Sequence, residues 1–162
     1  MQIVPWSQVS SWRCNACGIC CRRYDVVLKL PEWLSIVKKY GVKYTASSIN
    51  SFLLRKRPDG SCTFLVEAPN AAFCSLQRTK PQACKLWPFK ILDRPKFGSP
   101  SNASYRFGNR RLFIYADAAC TGLTFGAPTH DFAYSVIPEF IEIAFGLRQE
   151  QFKSTAILQP LY

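Results

Sequence analysis

A chain of 162 residues suits one domain of ordinary size and can bury a real core. Its hydrophobic fraction of 48% and aromatic fraction of 14% argue for a globular fold that needs no covalent staple merely to exist, so the eight cysteines call for a chemical explanation. Lys and Arg number 21 against 10 Asp and Glu, a net charge of +11 that would attract nucleic acid, an acidic protein or an anionic surface.

The opening Met1-Gln-Ile-Val-Pro-Trp-Ser7 has no basic stretch leading into an apolar run, and no apolar window approaches the roughly 18 residues of a membrane span. The expectation is a soluble, cytoplasmic protein, in a compartment where thiols stay reduced. The paired basic residues Arg22-Arg23, Lys38-Lys39 and Arg110-Arg111, and the run Arg55-Lys56-Arg57, are scattered rather than gathered in a tail, as solvated faces would be.

In chain order, Tyr24–Leu30 alternates well enough for a short strand. Pro31 suits a first helical position, Trp33, Leu34, Val37 and Tyr40 recur at helical spacing, and Gly41 can end the helix. Ser47 or Ser48 could cap a second helix carrying Ile49, Phe52 and Leu53, which the Pro58-Asp59-Gly60 turn would stop. Cys62–Val66 and Phe73–Leu76 read as paired strands around a Pro69-Asn70 turn, and a helical turn from about Thr79 holds Cys84 and Leu86. Residues 94–109, broken by Gly, Pro, Ser and Asn, read as a surface loop. Arg111–Ala116 is a strand, Asp117–Gly122 a turn that places Cys120 at its end, and the stripe Phe140, Ile141, Ala144 and Phe145 marks a helix from Pro138 to near Gly146.

The strongest signal is Cys14-Asn-Ala-Cys17-Gly-Ile-Cys20-Cys21. Spacing of C-x2-C-x2-C lets one loop ligate three irons of a cubane, with Gly18 free to wrap and a remote cysteine completing the set. Bacterial ferredoxins follow this run with Cys-Pro after three residues, whereas here Cys21 follows at once. Structural zinc needs four thiolates in a tetrahedron, which Cys14 and Cys17 with two of Cys62, Cys74, Cys84 and Cys120 could supply. The adjacent Cys20 and Cys21 are harder to place on one ion, and eight cysteines could also make two four-cysteine sites. Four cysteines within eight residues are poor disulfide partners for one another.

Taken together, these elements resemble the cysteine-cluster (CxxCxxCC) family of zinc- or iron-chelating proteins. The motifs carrying the resemblance are Cys14 to Cys21, Cys62-Thr-Phe-Leu65, Cys74, Lys80-Pro-Gln-Ala-Cys84, Trp87-Pro-Phe89 and Cys120-Thr-Gly122, over roughly residues 12–123. Lys80 departs from the arginine usual before the proline. The resemblance implies that all eight cysteines, Cys14, Cys17, Cys20, Cys21, Cys62, Cys74, Cys84 and Cys120, are metal ligands. An iron-sulfur cluster would draw on Cys14, Cys17, Cys20, Cys21 and Cys84. A related segment occurs in flagellin lysine-N-methylases, which would imply an iron-sulfur centre serving protein lysine methylation. Against that, no glycine-rich loop follows a strand and no CxxxCxxC run exists.

Other residues offer less. His130, the single histidine, belongs to a helix-start turn, Asp117 to an exposed turn or cap, and Trp87 and Phe89 to packing over the metal site. Arg22 and Arg23 could offset thiolate charge or receive an anion, with solvated surface as their default. The expected fold is an irregular α+β domain spanning 1–162, with a core over about 12–123, a C-terminal helical segment over about 131–155, a small mixed or antiparallel sheet and three to five helices around a cysteine-ligated metal centre. The expected cofactor is 4Fe-4S, with zinc as the alternative, in a structural, redox or accessory role. The rivals are a zinc-stapled basic nucleic-acid-associated protein and an iron-sulfur enzyme of protein modification. A protein partner is possible, nucleic acid would bind weakly and without sequence preference, and no oligomeric state follows.

Overall fold

The computed structural model describes residues 2–153. They form two compact units, one built from residues up to Asn15 and from Lys85 onward, the other from Ala16–Cys84. In chain order the elements are β1 (Ile3–Pro5), β2 (Val9–Trp12), α1 (Ile19–Arg23), β3 (Val27–Leu28), α2 (Leu30–Tyr40), β4 (Thr45–Ser48), β5 (Ser51–Leu54), β6 (Leu65–Ala68) and β7 (Ala71–Cys74). They continue with α3 (Gln82–Leu86), β8 (Phe89–Leu92), α4 (Pro100–Ala103), β9 (Ser104–Phe107), β10 (Arg110–Asp117), β11 (Leu123–Phe125) and α5 (Ile137–Ala144). Short helices and several antiparallel sheets make this an α+β fold, as the sequence leads one to expect.

In the Ala16–Cys84 unit, α2 starts where expected, because Pro31 lies in its first turn and Glu32 Oε2 accepts the Lys29 N–H at 2.8 Å. It stops at Gly41, whose φ of 98° ends the helical run. Ile36 faces inward to join Leu28, Leu54, Phe64 and Leu76, with Trp33 and Tyr40 packed against them. β6 and β7 pair around the Pro69-Asn70 turn with Leu65 opposite Cys74.

Residues 45–54 form a hairpin, β4 against β5, instead of the expected helix. Period-two placement wins here: Phe52 stacks on Trp33 at 4.5 Å and Leu54 is buried, while Ile49 stands exposed at the turn. β3 also needs β5 as its partner, and tertiary pairing of this kind overrides local preference. β3 itself is shorter than the Tyr24–Leu30 strand expected from the sequence.

In the other unit, β10 is the central strand and pairs antiparallel with β1, β8 and β9. Its alternate residues Leu112, Ile114 and Ala116 face a core shared with Val9, Trp12, Phe89, Phe132, Phe140 and Ile141. Trp12, Phe89 and Phe140 meet edge to face, with ring centroids 4.7–5.6 Å apart. β2 pairs with β11, and a π-helix at Phe132–Val136 runs into α5. The last residues of the expected C-terminal segment, 154 and 155, lie outside the described residues.

The 94–109 stretch is not the plain loop its composition suggests. It holds α4 and β9, because β9 pairs with β10 and so places Tyr105 and Phe107 against the core. Among the described residues no helix is long and apolar enough to cross a membrane.

Candidate metal centre

The cysteine loop is anchored by backbone bonds inside the Ala16–Cys84 unit. The Ala72 N–H donates to Ala16 O at 2.7 Å, tying the loop to β7, and the Cys62 N–H donates to Cys21 O at 2.8 Å. Gly18 makes the approach possible: its φ is 72°, and a Cβ there would lie 2.7 Å from Ala72 Cβ. The Cys21 N–H then closes the first turn of α1 on Gly18 O.

Five of the expected ligands come together in this unit. Cys21, Cys62, Cys74 and Cys84 share one apolar cluster, and Cys20 Sγ lies 3.9 Å from Cys21 Sγ. Cys17, on the same loop, is exposed. Cys14 and Cys120 belong to the other unit, where Cys120 is buried in the core and accepts a hydrogen bond from Trp12 Nε1 at 3.4 Å, with Cys14 packed against the same core. No disulfide joins any of the eight.

The electrostatics express the crowding. The hydrogen bond from Cys21 is the main reason Cys20 is lowered to about 7, with the Lys80 charge helping against the cost of burial. Cys21 is raised by the same contact and by burial. Burial raises Cys62 and Cys74, and raises Cys84 strongly, and in all three the neighbouring thiols add to the effect. Lys80 opposes this at Cys20, Cys74 and Cys84. It is itself buried.

Among the described residues no three His, Cys, Asp or Glu side chains stand in an arrangement that could hold a metal ion. The donor chemistry nevertheless fits a thiolate-binding metal: five sulfurs, mutually destabilising as anions, would be relieved by a cation between them, and a buried ammonium already serves part of that need.

Residues outside the cysteine set frame the site by hydrogen bonds and charge. Glu32 caps α2 through one oxygen and accepts the Gln82 N–H through the other at 2.7 Å, so one carboxylate fixes the start of both α2 and the Cys84 helix. The Lys29, Pro31 and Glu32 spacing at a helix start could have suggested the first half of that role. In the sequence Lys80 is marked only by standing where the family usually has arginine. Arg22 is more than solvated surface, since it donates to Cys17 O at 3.1 Å and pairs with Glu67.

Asp117 is fully buried rather than exposed; its Oδ1 accepts the Ala119 N–H at 3.1 Å and shapes the turn before Cys120. Its position in β10, inside the sheet, is the reason. His130 stands at the start of the helical segment, its ring tilted against Tyr134 with centroids 4.7 Å apart. Phe89 lies in the core of its unit with Trp87 packed against that core.

Residues 13–121 match the model of the CxxCxxCC family, described as "Putative zinc- or iron-chelating domain". That covers more than half of the chain and spans all eight cysteines, so the chain belongs to this family. A likeness to flagellin lysine-N-methylases is not shown by this match. Searches of curated proteins and of solved structures returned no significant match.

Proposed function

We propose that this protein holds a thiolate-ligated metal centre in its Ala16–Cys84 unit and that the centre is a 4Fe-4S cluster. The observation carrying the proposal is that Cys21, Cys62, Cys74 and Cys84 share one apolar cluster with Cys20 beside Cys21, and that the charge of buried Lys80 acts on Cys20, Cys74 and Cys84. Cys17 adjoins them on the loop, while Cys14 and Cys120 keep their candidacy through the family pattern. A 4Fe-4S cluster uses four thiolates, as a tetrahedral zinc ion does, and what favours the cluster is the Cys14, Cys17 and Cys20 spacing, which suits three corners of a cubane. When bound, such a cluster supplies folding energy and can carry an electron. The chain's own part is to gather the thiols, keep water from Cys62 and Cys74, and offset thiolate charge with Lys80. A cytoplasmic setting would keep them reduced.

The test is anaerobic purification with iron available, followed by metal and acid-labile sulfide analysis. Brown protein with about four irons and four sulfides per chain supports the reading. Colourless protein with stoichiometric zinc and no sulfide overturns the cluster and leaves zinc as the metal held by the same thiols.

A further inference from the structure

The stretch 85–116 carries seven Lys and Arg against one acidic residue, Asp93. The sheet register sorts these cations. Leu112, Ile114 and Ala116 face the core, so Arg111, Phe113 and Tyr115 face the opposite side. Their cross-strand partners share that side: Arg106 opposite Arg111, Leu92 opposite Phe113, and Lys90 opposite Tyr115.

Two features of this outer face are unusual for a surface serving only solubility. Arg106 and Arg111 stand directly opposite each other, both exposed, an arrangement of like charges that costs stability. Among the described residues no ion pair involves Lys90, Arg94, Lys96, Arg106 or Arg111. The second feature is aromatic. Phe97 lies edge-on over buried Tyr115 with centroids 5.3 Å apart, is 38% exposed, and has both Lys90 Nζ and Lys96 Nζ 6.0 Å from its ring centre. Phe113, half-buried, lies one alternate position from Arg111 on the same face.

We infer that the outer face of the β8, β10 and β9 strands binds single-stranded nucleic acid, with phosphates on Arg106, Arg111, Lys90 and Lys96 and bases stacked on Phe97 and Phe113. Cations interleaved with rings on a sheet face are the chemistry that holds single strands without reading their sequence. A duplex is the poorer fit, because a sheet face offers no helix or ribbon to enter a groove. An anionic membrane is poorer too, since Phe97 packs on Tyr115 with two ammonium groups near its ring instead of projecting as an apolar anchor.

The experiment is fluorescence anisotropy of the metal-loaded full chain with labelled single strands of about 16 nucleotides, RNA and DNA in separate arms, against the matching duplex. Single strands should bind more tightly than duplex. The Arg106→Gln, Arg111→Gln double variant should reduce the log-log salt slope by about 1.4, at about 0.7 per phosphate contact on a single strand. It should melt no lower than the parent, because like charges have been removed. Phe97→Ala should weaken binding about fivefold or more; should that variant not fold, the arginine variant decides. RNA and DNA arms that differ would name which strand type is preferred, and either supports the inference. Absent binding at about 50 mM salt, an unchanged slope in the arginine variant, or binding only to anionic vesicles would each overturn it.

Discussion

The two units are stabilised differently. The sheet unit buries Tyr115, Phe132, Phe140, Ile114, Ile137 and Ile141 almost completely and stacks three aromatic rings edge to face at its centre. The Ala16–Cys84 unit has a thinner core, in which Cys62 and Cys74 are two of the seven buried members of the cluster, with Cys21 and Cys84 packed against it. A core built partly from thiols gives up hydrophobic stabilisation there, and on the proposed function metal ligation would replace it. The comparison teaches that one unit should stand without metal and the other should not.

The largest effect should follow Cys74→Ser, which removes a buried sulfur from the crowded set. Metal content should fall well below that of the parent, and the Ala16–Cys84 unit should lose several kcal/mol of stability, as ligand loss does in small metal-dependent folds. Phe140→Ala should be nearly as costly by a different route, about 3–5 kcal/mol from a cavity in the sheet unit, with metal per folded chain unchanged. If Phe140→Ala stripped metal from protein that still folds, the division of labour between the units would be wrong.

A smaller effect is expected at Gly18. Alanine there must hold a positive φ and press on Ala72, so about 1–3 kcal/mol should be lost, together with some metal affinity because the loop shifts from β7. Thermal melts and a metal competition titration would show both.

The smallest effect is pH dependence in metal-free protein. Cys62, Cys74 and Cys84 are raised above the ordinary 9.0, so the stability they contribute is complete below about pH 9 and declines as pH climbs through the raised values. Cys20 runs the other way: lowered to about 7, its thiolate contributes above 9.0 and that contribution disappears as pH falls through 7. The melting temperature of metal-free protein should therefore drop from pH 9 upward, and metal affinity should weaken as pH is lowered and the thiols compete for protons. A melting curve flat across alkaline pH would contradict the burial of these thiols.

Much of this was legible in the sequence where local chemistry decides. Pro31 and Gly41 bound a helix that forms as expected, Pro69-Asn70 turns a hairpin, and the Phe140 and Ile141 stripe is an inward helix face. The failures lie where distant pairing decides. Ser47 to Leu53 has the residues of a helix start but is claimed by β3 and Trp33, and β9 is hidden in a Ser- and Asn-rich stretch because only β10 reveals its period. At the site, spacing alone groups Cys14 with Cys17 and Cys20, whereas the fold gathers Cys20 and Cys21 with Cys62, Cys74 and Cys84. No spacing rule could report that Lys80 is buried beside them, or that Glu32 fixes the Cys84 helix from fifty residues away.

The central claim is that metal ligation holds the Ala16–Cys84 unit together while the sheet unit holds itself. Residue-resolved hydrogen exchange, before and after anaerobic removal of metal with a strong chelator, tests it most directly. Protection should collapse at the amides of Cys62, Leu65 and Ala72, whose backbone bonds anchor the cysteine loop and its hairpin, and should persist at Ile114, Tyr115 and Ala116 in β10. Unchanged protection in the Ala16–Cys84 unit of fully demetallated protein, or equal loss in both units, would contradict the account.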